Sequence, residues 1–532
     1  MEEIKTLYDV VQFAARNYAA NTAFRYKKGR KEIEEKSYAQ FAKDVQAVSH
    51  AVLEMGMIGK QVALLGTSSY EWIVCYFGIC NCGAVAVPLD AQLSKEALTD
   101  LLRRADAEAL FYGPLYEDTA AEARKNCPKI REFVTFWKDE NAKQDTEQKN
   151  DEFDRKYLTD ILAKSLDTEK LQAEPKDGLQ TKPEEKQAGK PQPDQLCTIL
   201  FTSGTTGKSK GVMLSHRNLT DNATCLDMKI PQGTVSMSIL PINHVYCLTM
   251  DIIKGLYIGL SICINDSLMH VQKNLKLFRP EIMLVVPMVL ESIYAKLESA
   301  EKIIPKKLLA HEVFGGRLKT ICSGGAYLDP AYIDRFKAYG ITILQGYGMT
   351  ENSPVISTNL AWANRTGSVG KLLPNCEAKI TDGEIWVRGT SVMQGYYHMP
   401  EETKEALTED GWLRTGDLGY LDEDGYLFIT GRCKNLIILS NGENVSPEEL
   451  ENLLLRNRLI KEVVVRGFNQ VIEAEIFPDE DVVKKKHIKD VKQALQEAID
   501  ACNHDLPAYK RISRIKLRET EFPKTTTRKI KR

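Results

Sequence analysis

Short apolar runs that end in glycine or a polar turn limit the architecture of this chain more than any other feature. Gln61–Gly66 (QVALLG), Ala84–Leu89 (AVAVPL), Thr198–Thr202 (TILFT), Leu318–Cys322 (LKTIC) and Thr342–Gln345 (TILQ) are of this kind. A strand with one wet face alternates between apolar and polar residues. A strand without alternation has both faces covered, as in parallel sheets flanked by helices. After the first run, Ser69 is placed to cap a helix through Trp72 and Tyr76. The last three runs lead into SGTTG, SGG and GYGMTE. Ligands of open α/β sheets bind outside the carboxyl ends of strands, so these turns are expected to share one cleft.

At 532 residues the chain exceeds one core, since cores stop growing at roughly 250–300 residues. The expected fold class is α/β, with a large N-terminal domain of stacked sheets over residues 1–432 and a small, mobile α+β domain over 433–532. In the second, Asn435–Leu439 (NLIIL) reads as a strand and SNGENV as a loop. Ser446-Pro447-Glu448-Glu449 reads as a capping box, with serine at the cap and glutamate three residues on. The strands VVVRG and EAEIFP and a helix near Asp490–Cys502 complete that unit. Residues 138–195, dominated by Lys, Glu, Gln, Asp and Pro, are expected to form a solvated excursion with one embedded helix, Tyr157–Leu166.

A net charge of −2 gives no support for nucleic-acid binding, which leaves a clustered basic surplus. The twelve cysteines are scattered, and Cys75, Cys80 and Cys82 lack a second pair at zinc spacing, so they read as core residues of a helix. With no apolar signal core at the N-terminus, a reduced cytoplasmic location is expected. The apolar stretch Gly255–Ile264 is far shorter than the ~20 residues of a transmembrane helix and reads as a buried element or pocket wall. Peripheral membrane contact is left open.

The segment Thr202-Ser203-Gly204-Thr205-Thr206-Gly207-Lys208-Ser209-Lys210-Gly211 has the composition of a phosphate loop: glycines for close backbone approach, hydroxyls and lysines for the anion. It is not a Walker A loop, because threonine stands at position 202 where that pattern needs its opening glycine.

These residues resemble the signature of the adenylate-forming superfamily, which includes acyl-CoA synthetases, luciferases and peptide-synthetase adenylation domains. The resemblance continues in order through LPINH (Leu240–His244), SGGA (Ser323–Ala326), GYGMTE (Gly346–Glu351), WLRTGD (Trp412–Asp417), GRCKNLI (Gly431–Ile437) and PKTTTRKIKR (Pro523–Arg532). Within the superfamily, VPMVLESIYAKL (Val286–Leu297) and the C-terminal motif look most like long-chain fatty acyl-CoA synthetases.

The resemblance implies two half-reactions: adenylation of a carboxylate by ATP, then transfer of the acyl group to coenzyme A. It implies that Thr202, Ser203, Gly204, Thr205, Thr206, Gly207 and Lys210 hold the phosphates, with Thr350 beside them and Glu351 on Mg²⁺. Gly324, Gly325 and Ala326 would form the adenine slot, with Tyr347 stacked on the base and Gly348 next to it. Asp417 would bind the ribose hydroxyls and Arg432 would make a second nucleotide contact; an ordinary Asp–Arg pair is the plain alternative. Lys529 matches the adenylation lysine, although Arg528 replaces the usual glycine before it and Lys524 and Lys531 are close rivals. Lys434 marks the hinge of the small domain, and Gly442 in the loop Ser440–Asn444 would admit the pantetheine arm. Ser209 replaces the proline common in the phosphate loop, which bears on loop rigidity.

His244 is expected to gate the acyl pocket, with a packed histidine as the alternative. The segment behind it, HVYCLTMDIIKGLYIG, is mostly apolar and lacks an early aspartate for an α-ammonium group. A medium- or long-chain fatty acid is the first expectation, with aryl or short branched acids behind it. The rival readings are a ligase that loads an acyl carrier protein and a nucleotide- or acyl-binding protein without turnover.

Overall fold

Each of the apolar runs contributes a strand to one of two large sheets in a computed structural model. The structure describes residues 3–29, 32–137, 155–164, 190–202, 209–301, 305–439, 443–469, 471–524, 530 and 532. By internal contacts the chain divides into two units. The first holds Met1–Thr366, Gly370–Glu377 and Arg388–Gly411; the second holds Gly367–Val369, Ala378–Val387 and Trp412–Arg532.

One eight-stranded sheet of the first unit runs, in spatial order, Gly395–Tyr396, Lys210–Ser215, Leu196–Thr202, Val85–Leu89, Gln61–Leu65, Ala109–Tyr112, Glu132–Thr135, Lys156–Tyr157. Its strands from Leu196–Thr202 onward are parallel, and the first two are antiparallel additions. The nine-stranded sheet places Thr342–Gly348, Thr320–Ser323, Ile282–Val285, Val235–Ser238, Ser261–Ile264 and Thr22–Lys28 as parallel neighbours. Antiparallel strands flank them at both edges.

Helices fill the space between the sheets. Tyr70–Asn81 begins at Ser69, whose hydroxyl accepts from the Trp72 amide as a cap, and nearly all its residues are buried. A helix apolar on every side belongs in an interior. Its contact with Tyr38–Glu54 is so close that a Cβ on Gly78 would lie 2.4 Å from Val48 Cγ1. Cys75 and Cys80 are part of this buried helix, and Cys80 Sγ donates to the Cys197 carbonyl at 3.4 Å. Gly255–Ile264 proves to be the end of one helix and the buried strand Ser261–Ile264. Among the described residues, no helix is long and apolar enough to cross a membrane. Within the polar excursion, Lys156–Tyr157 pairs with Glu132–Thr135 and a helix spans residues 158–164.

A four-stranded sheet, Cys376–Thr381, Glu384–Gly389, Leu413–Leu421, Leu427–Arg432, lies mostly in the second unit, which also contains a three-stranded sheet, Ile460–Phe468, Val471–Pro478, Ile512–Leu517. Helices Pro447–Leu455 and Val491–His504 bury Leu450, Leu454, Leu495 and Ile499 in the core of that three-stranded sheet. The expected capping box does not form. Ser446 precedes Pro447 as anticipated, but its hydroxyl donates to Glu448 Oε2 at 3.1 Å rather than capping the backbone. The cause is close packing on Gly431, where a Cβ would meet Ser446 Oγ at 2.2 Å. Glu449 turns outward to Lys510 instead, at 2.7 Å.

Candidate active site

The site begins where the strands Thr320–Ser323 and Thr342–Gly348 end side by side, with Ser323 in register with Gln345. Gly324 and Gly325 follow the first strand, and Gly325 has φ +81°, a conformation that excludes most side chains. A Cβ on Gly324 would stand 3.3 Å from Tyr246 Cζ, so this aromatic ring lies against the turn. On the second strand a Cβ at Gly348 would fall 2.0 Å from the Pro354 carbonyl oxygen; only glycine fits there. Ala326 is exposed, and Tyr347 is half-buried. Three buried polar atoms at these strand ends have no hydrogen-bond partner: Ser323 Oγ, Gln345 Oε1 and Asn352 Oδ1. Leaving buried polar atoms unmatched costs stability, and a nucleotide offers groups that could satisfy them.

The phosphate-loop candidate is the connection of a β-hairpin. Thr202 ends one strand, Lys210 begins the next, and the two are paired in register. Ser203, Gly204, Thr205, Thr206, Gly207 and Lys208 lie outside the described residues. The neck of the hairpin is closed by Ser209, whose hydroxyl donates to the Thr202 carbonyl at 2.7 Å. The Arg104 guanidinium donates to the Ser209 carbonyl and stacks over Phe201 at 5.5 Å. The residue that replaces proline therefore restrains the neck by a hydrogen bond.

Lys210 sits over the ring of Tyr396, 4.6 Å from its centroid. The Tyr396 hydroxyl donates to Glu351 Oε1 at 2.9 Å. This link joins the lysine of the glycine-rich segment to the glutamate of GYGMTE, and sequence reasoning missed it. Thr350 and Glu351 belong to a short 3-10 turn, Thr350–Asn352, directly after the strand.

That turn is held from behind by the helix His216–Thr224, also missed from sequence. Asn222 Nδ2 donates to the carbonyls of Asn352 (3.1 Å) and Val355 (2.8 Å) and to Ser391 Oγ (3.1 Å). Its Oδ1 accepts from the Val355 amide at 3.1 Å. One turn earlier, Asn218 Nδ2 donates to the carbonyls of Thr390 and Val392. Both asparagines are buried.

His244 opens the helical segment that carries Tyr246; its carbonyl accepts from the Leu248 amide at 3.0 Å. The helix widens to π geometry over Cys247–Ile253, a form often found near functional sites. Asp251 and Lys254, the two charged residues of this mostly apolar segment, are both buried. Ser238 Oγ donates to Asp251 Oδ2 at 3.1 Å, and burial pushes the carboxyl up to about 7. Lys254 Nζ donates to the carbonyls of Ala223 and Leu226 at 2.9 and 2.8 Å, closing the end of the His216–Thr224 helix. Burial lowers this lysine to about 8.

In the second unit, Asp417 and Arg432 face each other across paired strands, with Arg432 Nε 2.5 Å from Asp417 Oδ1. The carboxylate is buried while the guanidinium is exposed. The structure thus brings these two candidates together as an ion pair. Lys434 is exposed in the short turn Cys433–Asn435. Gly442 and Lys529 lie outside the described residues.

Comparison with known proteins gives the family of the chain. The chain matches the AMP-binding enzyme family over residues 11–397 and the AMP-binding enzyme C-terminal domain over residues 434–532. Long chain acyl-CoA synthetase 7, peroxisomal, of Arabidopsis thaliana is 29% identical over 91% of this chain and 74% of that protein. Long-chain-fatty-acid–CoA ligase FadD15 of Mycobacterium bovis is 29% identical over 81% of this chain and 74% of its own length. Among solved structures, an ATP-bound RpMatB-BxBclM chimera superposes with a TM-score of 0.79 at 25% identity, covering 99% of this chain and 97% of that one. An anthranilate CoA ligase, AuaEII, in complex with anthranoyl-AMP gives a TM-score of 0.79 at 22% identity, with 100% and 96% covered. The motifs, the glycine turns at the strand ends and the match across most of its length make this chain a member of the AMP-binding enzyme family.

Proposed function

We propose that the chain is an ATP- and Mg²⁺-dependent ligase that activates a carboxylic acid, a medium- or long-chain fatty acid first, and transfers it to coenzyme A. The observation that carries this reading is the Lys210–Tyr396–Glu351 group, placed beside glycine turns that only small residues can form. In the first half-reaction a carboxylate oxygen bonds to the α-phosphorus of ATP, and the bond from that phosphorus to pyrophosphate breaks. In the second, a thiolate bonds to the acyl carbon and AMP leaves. Both steps need positioning and charge neutralisation more than proton transfer.

Thr202, Ser203, Gly204, Thr205, Thr206, Gly207 and Lys210 are assigned to the phosphates, with Thr350. Gly324, Gly325, Ala326, Tyr347 and Gly348 are assigned to adenine, and the unmatched Ser323 and Gln345 atoms fit a polar base edge. Asp417 and Arg432 are assigned to the ribose side and Lys529 to the charge that develops during adenylation. His244 is assigned to the acyl side. The small domain, taken as residues 433–532, would turn about Lys434 and bring Gly442 toward the thiol arm.

Among the described residues no cluster of three or more metal-ligating side chains occurs. Mg²⁺ is commonly held by one or two carboxylates, water and substrate phosphates. Glu351 fits that role, and the ion would supply charge neutralisation on the phosphates. The fatty acid is favoured by the two long-chain relatives and by the largely apolar Val245–Ile258 segment; Asp251 and Lys254 are both satisfied within the fold.

The test is acid-dependent AMP release from ATP and Mg²⁺, with fatty acids of graded length and aryl acids, with and without coenzyme A. Thioester formation with a maximum at one chain length supports the reading. Acyl-AMP that accumulates despite coenzyme A, and discharges onto a phosphopantetheinyl carrier protein, replaces it with the carrier-loading alternative. ATP binding without AMP formation from any acid would leave a binding protein.

A further inference from the structure

Tyr396 stands between two charges, Lys210 and Glu351. Among the described residues, neither Lys210 nor Glu351 is in a salt bridge, although both touch the same phenol. An ammonium and a carboxylate this close to one side chain would ordinarily neutralise each other. Here the ring face takes the ammonium, as a cation–π contact within about 6 Å does, while the hydroxyl takes one carboxylate oxygen.

The backbone around Tyr396 fixes this arrangement. Gly395–Tyr396 pairs antiparallel with the strand that begins at Lys210, Gly395 opposite Met213 and Tyr396 opposite Val212. The Tyr397 amide donates to the Gly211 carbonyl at 2.7 Å, and the Gln394 amide to the Met213 carbonyl at 2.9 Å. On the other side, the Met393 amide donates to the Glu351 carbonyl at 2.8 Å. Five consecutive residues, 393–397, therefore clip the strand bearing Lys210 to the turn bearing Glu351. Gly395 has φ +138°, and Thr403 Oγ1 accepts from the Tyr396 amide at 2.9 Å, so the tyrosine is aimed by its own backbone. Tyr396 is 7% exposed.

We propose that Tyr396 is a positioning residue that keeps Lys210 and Glu351 apart and aimed, so that each meets Mg²⁺·ATP instead of the other. Its hydroxyl orients the carboxylate for the cation and its ring orients the ammonium for a phosphate. The proposal rests on the nucleotide reading of this site given above.

The experiment is calorimetric titration of ATP into the full-length wild type, Tyr396→Phe and Tyr396→Leu, each with excess Mg²⁺ and with EDTA. Tyr396→Phe keeps the ring and loses the hydroxyl. It is expected to lose about tenfold in Mg²⁺-dependent affinity, the scale of one hydrogen bond to a charged group, with EDTA affinity unchanged. Tyr396→Leu is expected to lose affinity in both conditions. If Tyr396→Phe matches the wild type in both, or weakens equally with and without Mg²⁺, the positioning role is wrong. A wild type that binds ATP without gain from Mg²⁺ also overturns it, while acid-dependent AMP release then judges the ligase reading separately. No ATP binding by the wild type defeats both.

Discussion

Asn222→Ala tests whether the Thr350–Asn352 turn is held from behind. The side chain makes four hydrogen bonds, and its residue is 1% exposed. Not all of them are lost equally. The Val355 carbonyl keeps Asn352 Nδ2 as a donor at 2.8 Å, and Ser391 Oγ keeps Asn375 Nδ2 at 2.7 Å. The Val355 amide and the Asn352 carbonyl lose the partners that Asn222 supplies, inside a region where Asn352 is fully buried. At about 1–3 kcal/mol for each of these two unmatched buried groups, the expected loss is about 2–6 kcal/mol. Asn375→Ala is the matched control. It also removes an amide, but this residue is half-buried and the Ser391 hydroxyl keeps Asn222, so about 1 kcal/mol or less is expected. The assay is urea unfolding of both variants, read through the first transition because a chain of two units need not unfold in one step. KM for Mg²⁺·ATP should rise severalfold in Asn222→Ala alone. Equal losses for the two asparagines, or a destabilised Asn222→Ala with unchanged ATP kinetics, would refute the reasoning.

Ser209→Ala removes the 2.7 Å bond across the hairpin neck and should raise KM for ATP by about three- to tenfold, with the KM for the acid unchanged; a shift in both would point to a general loss of structure. Asp251 should tilt stability with pH: its carboxyl ionises near 4 when unfolded but keeps its proton to about 7 when folded. The native state then binds the extra proton between those values, so stability falls as pH rises through them, at up to about 1.4 kcal/mol per pH unit. Asp251→Asn should remove that slope, and unfolding curves parallel to wild type from pH 4 to 7 would contradict the burial argument. Lys529→Ala should cripple adenylation yet largely spare thioester formation from preformed acyl-AMP; equal losses in both would reassign the lysine.

Local patterns were legible in the sequence, and contacts between distant segments were not. Unbroken apolar runs identified the strands because a strand covered on both faces has no other composition open to it. Ser69 identified a helix start because the cap is decided within three residues. The glycines at 325 and 348 marked the site because the first takes a left-handed conformation and the second leaves no room for a Cβ. Tyr396 carried no such mark: its partners are 45 and 186 positions away, and in sequence it is one aromatic beside another. Asn222, 133 positions from Val355, reads as an ordinary polar helix residue. The Ser446 box failed for the converse reason. The pattern was present, but packing against Gly431 took the hydroxyl away from the backbone. Behind His244, Asp251 and Lys254 looked incidental in an apolar stretch until burial gave each a specific partner.

The character of the supporting groups follows from the charges they surround. Asn218, Asn222, Ser353 and Ser391 fix the turns around Glu351 with neutral amides and hydroxyls. On the proposed reading, a charged support at the same place would act on a triphosphate as well, because interactions in a water-poor site are screened far less than in bulk solvent. The outer face of the three-stranded sheet shows the opposite choice. There Glu473 and Glu475 are buried but matched by Arg466, Arg514, Lys516 and Arg518, with Arg514 Nε 2.8 Å from Glu473 and Arg518 Nη1 3.0 Å from Glu475. Charges matched in this way hold a sheet together and have little left to offer a ligand. Lys210 and Glu351 are held instead by a phenol that cancels neither, which on the proposed reading preserves their full charge for an anion and a cation arriving together.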